Sequence, residues 1–345
     1  MSARSTLYLS LALAVPVVAL MLTKIACGTQ YDVVLYCAVD RTHSEPIVRA
    51  FEEATGLRVD FQPDVELSKS VGHRRRLQEE SHNTRCDVFW NNEVVQMVLL
   101  AENGLLQPYA SPNAADIPEG LKDPGDLWAG FGARARVLIV NNELCPDPAA
   151  LPNSTNSLMN PTWRGQAGMA KPLTGTTAAH ASIWIQQWGL ERTLMTLAVM
   201  RSNEVAFGPG NAHLMKLVRD GKLAFGWTDT DDAKVAIDGG YPVTQVVPDQ
   251  GPGEFGLIVI PNTVAMIAGA PHPEAAQKLI DFLVSREVEE LLAHGPSAQI
   301  PVRSDVPRPE GVLNLADYKL AKFDWQAVGA AYAANVDALE AFFNQ

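Results

Sequence analysis

The sequence predicts an α/β protein of two lobes joined by crossing strands, and three observations carry that expectation. Short apolar strands alternate with amphipathic helices, the pattern of largely parallel sheets covered by helices. Residues 105–165 hold Pro108, Pro112, Pro118, Pro124, Pro146, Pro148, Pro152 and Pro161 around one apolar strand at 136–141, and a lone strand between loops suits a crossing between lobes. The length, 345 residues, is a prior for two domains.

The chain opens with an expected signal peptide at 1–26. Arg4 precedes the apolar run 7–23, and Lys24-Ile25-Ala26-Cys27 follows. A small residue before a cysteine resembles a lipoprotein processing site, with Cys27 as the acylated residue, although Lys24 stands where that motif takes an aliphatic side chain. A retained single-span anchor is the alternative; an apolar run of about 17 residues interrupted by a proline is at the short end for spanning. On either reading the bulk of the chain is exported, to the periplasm or to a lipid anchor at the envelope.

Strands are then expected at 32–37, 57–61, 87–90, 136–141, 167–170, 204–207, 223–227, 243–247 and 256–260. Helices are expected at 44–55, with Ser44 as N-cap and Pro46 in its first turn, and at 66–80, 92–103, 177–188, 211–220 and 273–293. With 136–141 as one crossing and 256–260 as the return, residues 27–138 and 256–308 form the first lobe, and 139–255 with 309–345 the second. Two extended crossings would let the lobes hinge about a cleft, where small ligands bind.

Composition narrows the partners. There are 27 Lys and Arg against 39 Asp and Glu, net charge −12, so the surface repels phosphate backbones and nucleic acid is not an expected partner. Nothing suggests more than a monomer. The 4 cysteines show no CxxC spacing, which leaves zinc without support. Cys37, Cys86 and Cys145 border strands or a proline-rich linker and read as buried thiols. Gly251 to Gly256 spells GxGxxG, but Pro252 lies inside it and a strand follows, so it is no dinucleotide site. The run His73-Arg74-Arg75-Arg76 reads as the solvated face of helix 66–80.

Four motifs sit where strands end. Thr174, Gly175, Thr176 and Thr177 turn from a strand into a helix, and their hydroxyls and free N–H groups at a positive helix end suit an anion; ordinary capping needs only one of those threonines. Asn211 after Gly208-Pro209-Gly210 opens a second helix in the same way. Asp229, Asp231 and Asp232 follow an apolar strand, and three carboxylates there repel one another unless a cation, amine or donor network offsets them. Asn91 and Asn92 end strand 87–90, and Asp40 with His43 follows strand 32–37, both at the carboxyl ends where open α/β sheets hold ligands.

Taken together, the runs VVLYCAVDRTHSEPIVRAFEEATG, CDVFWNNE, WAGFGARARVLIVNN, DGKLAFGWTDTDDA and IPNTVAMIAGAPHPEAAQKLIDFLVS resemble the ferric-iron-type periplasmic solute-binding proteins of ABC importers, over residues 31–305. The resemblance implies a two-lobed periplasmic-binding-protein (type II) fold that closes on its ligand and delivers it to a membrane permease, with no required cofactor. It implies Fe(III) or a similar metal as transported ligand. A polar metal-site residue of the first loop falls at Asp40 and an acidic one at Asn92. A synergistic anion would rest on 174–177 and Asn211, and the tyrosine pair that grips Fe(III) falls on Asp231 and Asp232. No Tyr-Tyr pair occurs in the chain. Carboxylates are hard oxygen ligands that hold Fe(III), and they equally suit Ca²⁺, Mg²⁺ or an ammonium group, so a zwitterion such as an aminophosphonate is the alternative ligand. An alternative of another class rests on Asp229-Thr230-Asp231, which resembles the opening motif of haloacid-dehalogenase-type Mg²⁺-dependent phosphatases; Ala233 departs from that motif.

Overall fold

The computed structural model describes residues 31–63 and 69–344; the expected leader and Cys27 lie outside them. β1 (Val33–Cys37) pairs in parallel with β2 (Val59–Pro63) and β3 (Val88–Asn91). Between β1 and β2 runs α1 (Arg41–Thr55), which buries Ile47, Val48 and Phe51 on one face and ends at Gly56, left-handed at φ 72°. The helix starts three residues before Ser44. Asp40 occupies the N-cap position, and the buried Ser44 hydroxyl donates to the carbonyls of Val39 and Asp40.

α2 (Lys69–Glu79) corrects the reading of the basic run. His73 is buried against the Cys37 carbonyl, Arg74 donates to Gln96 and Arg76 lies over the Tyr36 ring, so Arg75 is exposed, Arg74 and Arg76 are partly covered, and the run is not a wholly solvated face. α3 (Val95–Glu102) and the short β4 (Leu106–Gln107) complete this part of the sheet.

β5 (Ala129–Asn141) is 13 residues long and begins seven residues before the expected strand. Gly130 and Gly132 broke the apolar pattern there, yet both are needed. A Cβ on Gly130 would stand 2.3 Å from the Leu121 carbonyl oxygen, and Gly132 is left-handed at φ 46°. β6 (Ala167–Ala170), α4 (Gly175–Trp188), α5 (Leu190–Ser202), β7 (Ala206–Gly208), α6 (Asn211–Arg219), β8 (Phe225–Asp229), α7 (Thr230–Asp238) and β9 (Val243–Val246) follow as alternating units.

β10 (Val259–Ile267) runs well past the expected 256–260. Pro261, which lacks an N–H, hid the remainder; the ladder accommodates it with a register shift between Pro261 and Asn262. The long helix expected at 273–293 is two, α8 (Pro273–Leu283) and α9 (Arg286–His294), with the Ser285 hydroxyl capping the second by accepting from Val288 N–H. The last helix, α10 (Trp325–Phe343), packs on both α3 and α4.

The strand order is β2-β1-β3-β10-β5-β8-β6-β7, with β4 beside β10 and β9 beside β5. This is the two-lobed type II fold. β5 belongs to both lobes: Ala129–Ala135 pairs with β10, and Arg136–Asn141 with β8 and β9. The return passes through 247–258, where Arg136 N–H donates to the Ile258 carbonyl and Leu257 exchanges bonds with Lys319 and Ala321. Cys37, Cys86 and Cys145 are unpaired and buried; burial pushes the Cys37 thiol up to about 12 and raises the other two, which keeps them from the reactive thiolate form.

Candidate functional site

The ends of β1, β3, β6 and β8 open onto one cleft of about 410 Å³ between the lobes. Asp40, His43, Asn92 and Arg134 line it from the first lobe. Lys171, Thr174, Gly175, Thr176, Thr177, Asn211, Asp229, Asp231 and Asp232 line it from the second. The threonine turn and the aspartate turn, far apart in sequence, therefore share a cavity.

At the threonine end, Thr174 takes the extended N-cap position and Gly175, at φ 60°, opens α4. The first N–H groups of this helix have no acceptor within it and lie at its positive pole, which suits an anion. Two of the three hydroxyls serve a different purpose from the one expected. Thr176 Oγ1 donates to Asp229 Oδ2 at 2.6 Å, and Thr177 Oγ1 to Asn211 Oδ1 at 2.9 Å. Asn211 is the first helical residue of α6 rather than a cap, and its amide donates to Thr176 Oγ1 and Asp229 Oδ2, each at 2.9 Å. The hydroxyls thus fix the wall of the cleft, and the backbone N–H groups are left for a ligand.

The aspartates are offset by two arginines. Arg134 and Arg136 stand two apart on β5 and so point to one face of the strand. Arg136 Nη1 pairs with Asp229 Oδ1 at 2.5 Å, and Arg134 Nε lies 3.1 Å from Asp231 Oδ2. Arg134 also donates to the Asn92 carbonyl, and thereby ties β3 to the aspartate turn. Asp232 is treated differently: among the described residues its carboxyl accepts only from the Thr228 hydroxyl, at 3.0 Å. Burial, then the charges of Asp231 and Asp229, push its carboxyl up to about 8; burial also raises Asp231, against the pull of Arg134. One oxygen from each of Asp229, Asp231 and Asp232 lies within 4.8 Å of the others, so the three can surround a single cation.

Asn91 does not reach the cleft. It is fully buried, and its amide donates to the backbone and carboxylate of Glu93, bracing the turn that presents Asn92. Asp229 Oδ1 accepts from Arg136, and Oδ2 from Thr176 and Asn211. Sequence reasoning missed Arg134 and Arg136, although the signal was present: two cations in an otherwise apolar strand must be paired when buried. It also passed over Lys171, whose ordinary surface setting gave no sign.

The family profile described as bacterial extracellular solute-binding protein matches residues 87–326. The iron uptake protein A1 of Synechocystis sp. is 24% identical over 315 residues, covering 89% of this chain and 85% of that protein. A putative 2-aminoethylphosphonate-binding periplasmic protein of Salmonella typhimurium is 25% identical over 261 residues, 74% of this chain and 73% of that one. Among solved structures, iron-bound HitA from Pseudomonas aeruginosa superposes with a TM-score of 0.79 at 22% identity, covering 90% of this chain and 98% of HitA. Among the described residues no helix is long and apolar enough to cross a membrane. The chain belongs to the bacterial extracellular solute-binding proteins, as the component that captures solute for an ABC importer.

Proposed function

We propose that the cleft holds a hard metal cation, Fe(III) or one similar, together with a small anion. The observation that carries this reading is Asp232: Asp229 and Asp231 each have an arginine, whereas Asp232 has a hydroxyl and two like charges beside it. A cation within reach of all three carboxylates supplies the missing counter-charge. The anion would lie against the N-terminus of α4, with Asn211 and Lys171 alongside. Asp40 and Asn92 would close over the pair from the first lobe. Solute favours the closed cleft only by the contacts it gains there.

A second reading is a small zwitterion such as an aminophosphonate, its anionic end at α4 and its ammonium at Asp232. The ion pair of Arg134 with Asp231 and the missing tyrosine pair support it, since both leave less anionic charge for a trivalent ion. Thermal-shift titration of the purified protein with ferric citrate, with phosphate and with 2-aminoethylphosphonate separates the two. Stabilisation by ferric citrate beyond that by citrate alone is expected; a shift only with the aminophosphonate would reverse the order.

The same reading takes the protein as a monomeric, non-catalytic carrier outside the cytoplasm that docks on a membrane permease. It takes the lobes as 27–138 with 256–308, and 139–255 with 309–345; the pairing of β10 to β3 and of β8 to β6 supports this division away from the crossing, where Arg136, Val137 and Leu138 already pair with β8. Acylation of Cys27 would tether it, and mass analysis of the envelope form tests that.

A further inference from the structure

Behind the cleft wall lies a buried polar column that meets the cleft at Thr176 and Asp229. Thr176, His180 and Trp184 recur at intervals of four along α4 and share one face. That face lies on Arg136 from β5 and on Trp227 and Asp229 from β8. His180 is fully buried, its ring set edge-on to Trp184 at 4.3 Å and to Trp227 at 4.8 Å. A guanidinium can only donate, so the 3.4 Å contact from Arg136 Nε makes His180 Nδ1 the acceptor and leaves the proton on Nε2. Burial and the neighbouring Arg136 charge hold this imidazole well below its ordinary range, so it stays neutral and keeps that lone pair.

Arg136 in turn organises the cleft wall. Its Nη1 donates to Asp229 Oδ1 and Thr176 Oγ1, and Asp229 Oδ2 collects Thr176 and Asn211. The guanidinium is anchored at Nη1 by the cleft side and at Nε by His180, while Nη2 has no partner among the described residues. Without the Nε contact the plane is held along one edge only.

We propose that His180 is a positioning residue: a buried imidazole whose Nδ1 accepts from Arg136 Nε and so sets the plane of Arg136, and through it the Asp229, Thr176 and Asn211 network that presents the anion end of the cleft. The role rests on the reading that the anion lies at the α4 N-terminus. His180→Phe keeps the ring and removes the acceptor. His180→Asn places an oxygen near the Nδ1 position. Inorganic phosphate is the probe, titrated calorimetrically at a temperature where all forms are folded. His180→Phe is expected to weaken phosphate about tenfold or more, the usual scale for removing a supporting partner, and His180→Asn to recover most of the loss. Equal affinity in parent and His180→Phe, or equal loss in both variants, would overturn the role. The parent alone supplies an independent readout through its imidazole ¹⁵N spectrum. An unprotonated Nδ1 that persists through the ordinary histidine range is expected; a proton on Nδ1, or titration in that range, would overturn it. If the parent binds no phosphate while the ¹⁵N signature holds, the anion reading falls and the His180 contact to Arg136 stands.

Discussion

Arg136 and Asp229 are register partners on adjacent antiparallel strands, and their side chains close a buried ion pair at 2.5 Å. Backbone pairing therefore fixes which arginine meets which acid. The pair lies at the point where β5 passes from β10 to β8, so the crossing between lobes and the floor of the cleft are one feature. An isolated charge would not survive there; each partner is tolerated because the other is present.

That dependence predicts an asymmetry. Arg136→Met should cost roughly 3–5 kcal/mol by leaving Asp229 buried and unpaired. Combining it with Asp229→Leu should restore much of the loss, since an apolar pair of similar volume removes both desolvation penalties. Urea denaturation of the two single variants and the double variant measures the coupling, and additive losses would contradict it.

At the ligand end, Asp232→Ala should abolish stabilisation by ferric citrate while leaving the ligand-free melting temperature no lower, whereas adding Asp231→Ala strips the buried Arg134 of its ion pair and should lower it. Asp232 is raised by burial and like charge, so its loss relieves repulsion, and Arg134 keeps the Asn92 carbonyl. Scanning fluorimetry with and without ferric citrate checks both halves. A ligand shift equal to that of the parent would remove the aspartate turn from the site.

Much of this was legible in the sequence where local rules and packing agreed. The alternation of strands and helices, the turn at Thr174 to Thr177 and the aspartates after β8 follow from periodicity and from the chemistry of strand ends. The misses have physical causes. Gly130 and Gly132 hid half of β5, and Pro261 hid most of β10, because close approach and a bulge override strand propensity. The roles of Thr176 and Thr177 were misread because their partners, Asp229 and Asn211, lie 53 and 34 residues away. No local signal reports a contact of that range.

Gly256 supplies a test of the return crossing. It is left-handed at φ 93°, and a Cβ there would lie 2.9 Å from both Ala321 N and the Lys319 oxygen. Gly256→Ala should destabilise by about 1–3 kcal/mol from the conformation alone, with more from the displaced 319–321 segment. Chemical denaturation measures the loss, and solute affinity should fall with it, since this segment joins the lobes. Parent-like stability would mean the crossing tolerates a side chain that the geometry excludes.

The Asp232 carboxyl sets a pH dependence whose sign follows from its raised pKa. Between the ordinary 3.8 and about 8 the folded protein holds a proton that the unfolded chain has lost, so its contribution to stability falls as pH rises through that window. His43 and His180 act in the opposite sense, because both are lowered from 6.5 by burial. They add stability as pH rises, but only up to about 6.5, where both states are neutral. The window from about pH 6.5 to 8 therefore isolates the carboxyl, with Asp231 coupled to it in the same direction. Urea denaturation of the ligand-free protein should show stability declining across this window, and Asp232→Asn should flatten the decline. Cation uptake displaces the same proton, so affinity for the metal should rise over the same range. A ligand-free stability that climbs from pH 6.5 to 8 would contradict the burial of Asp232 beside the Asp229 and Asp231 carboxylates without an arginine of its own.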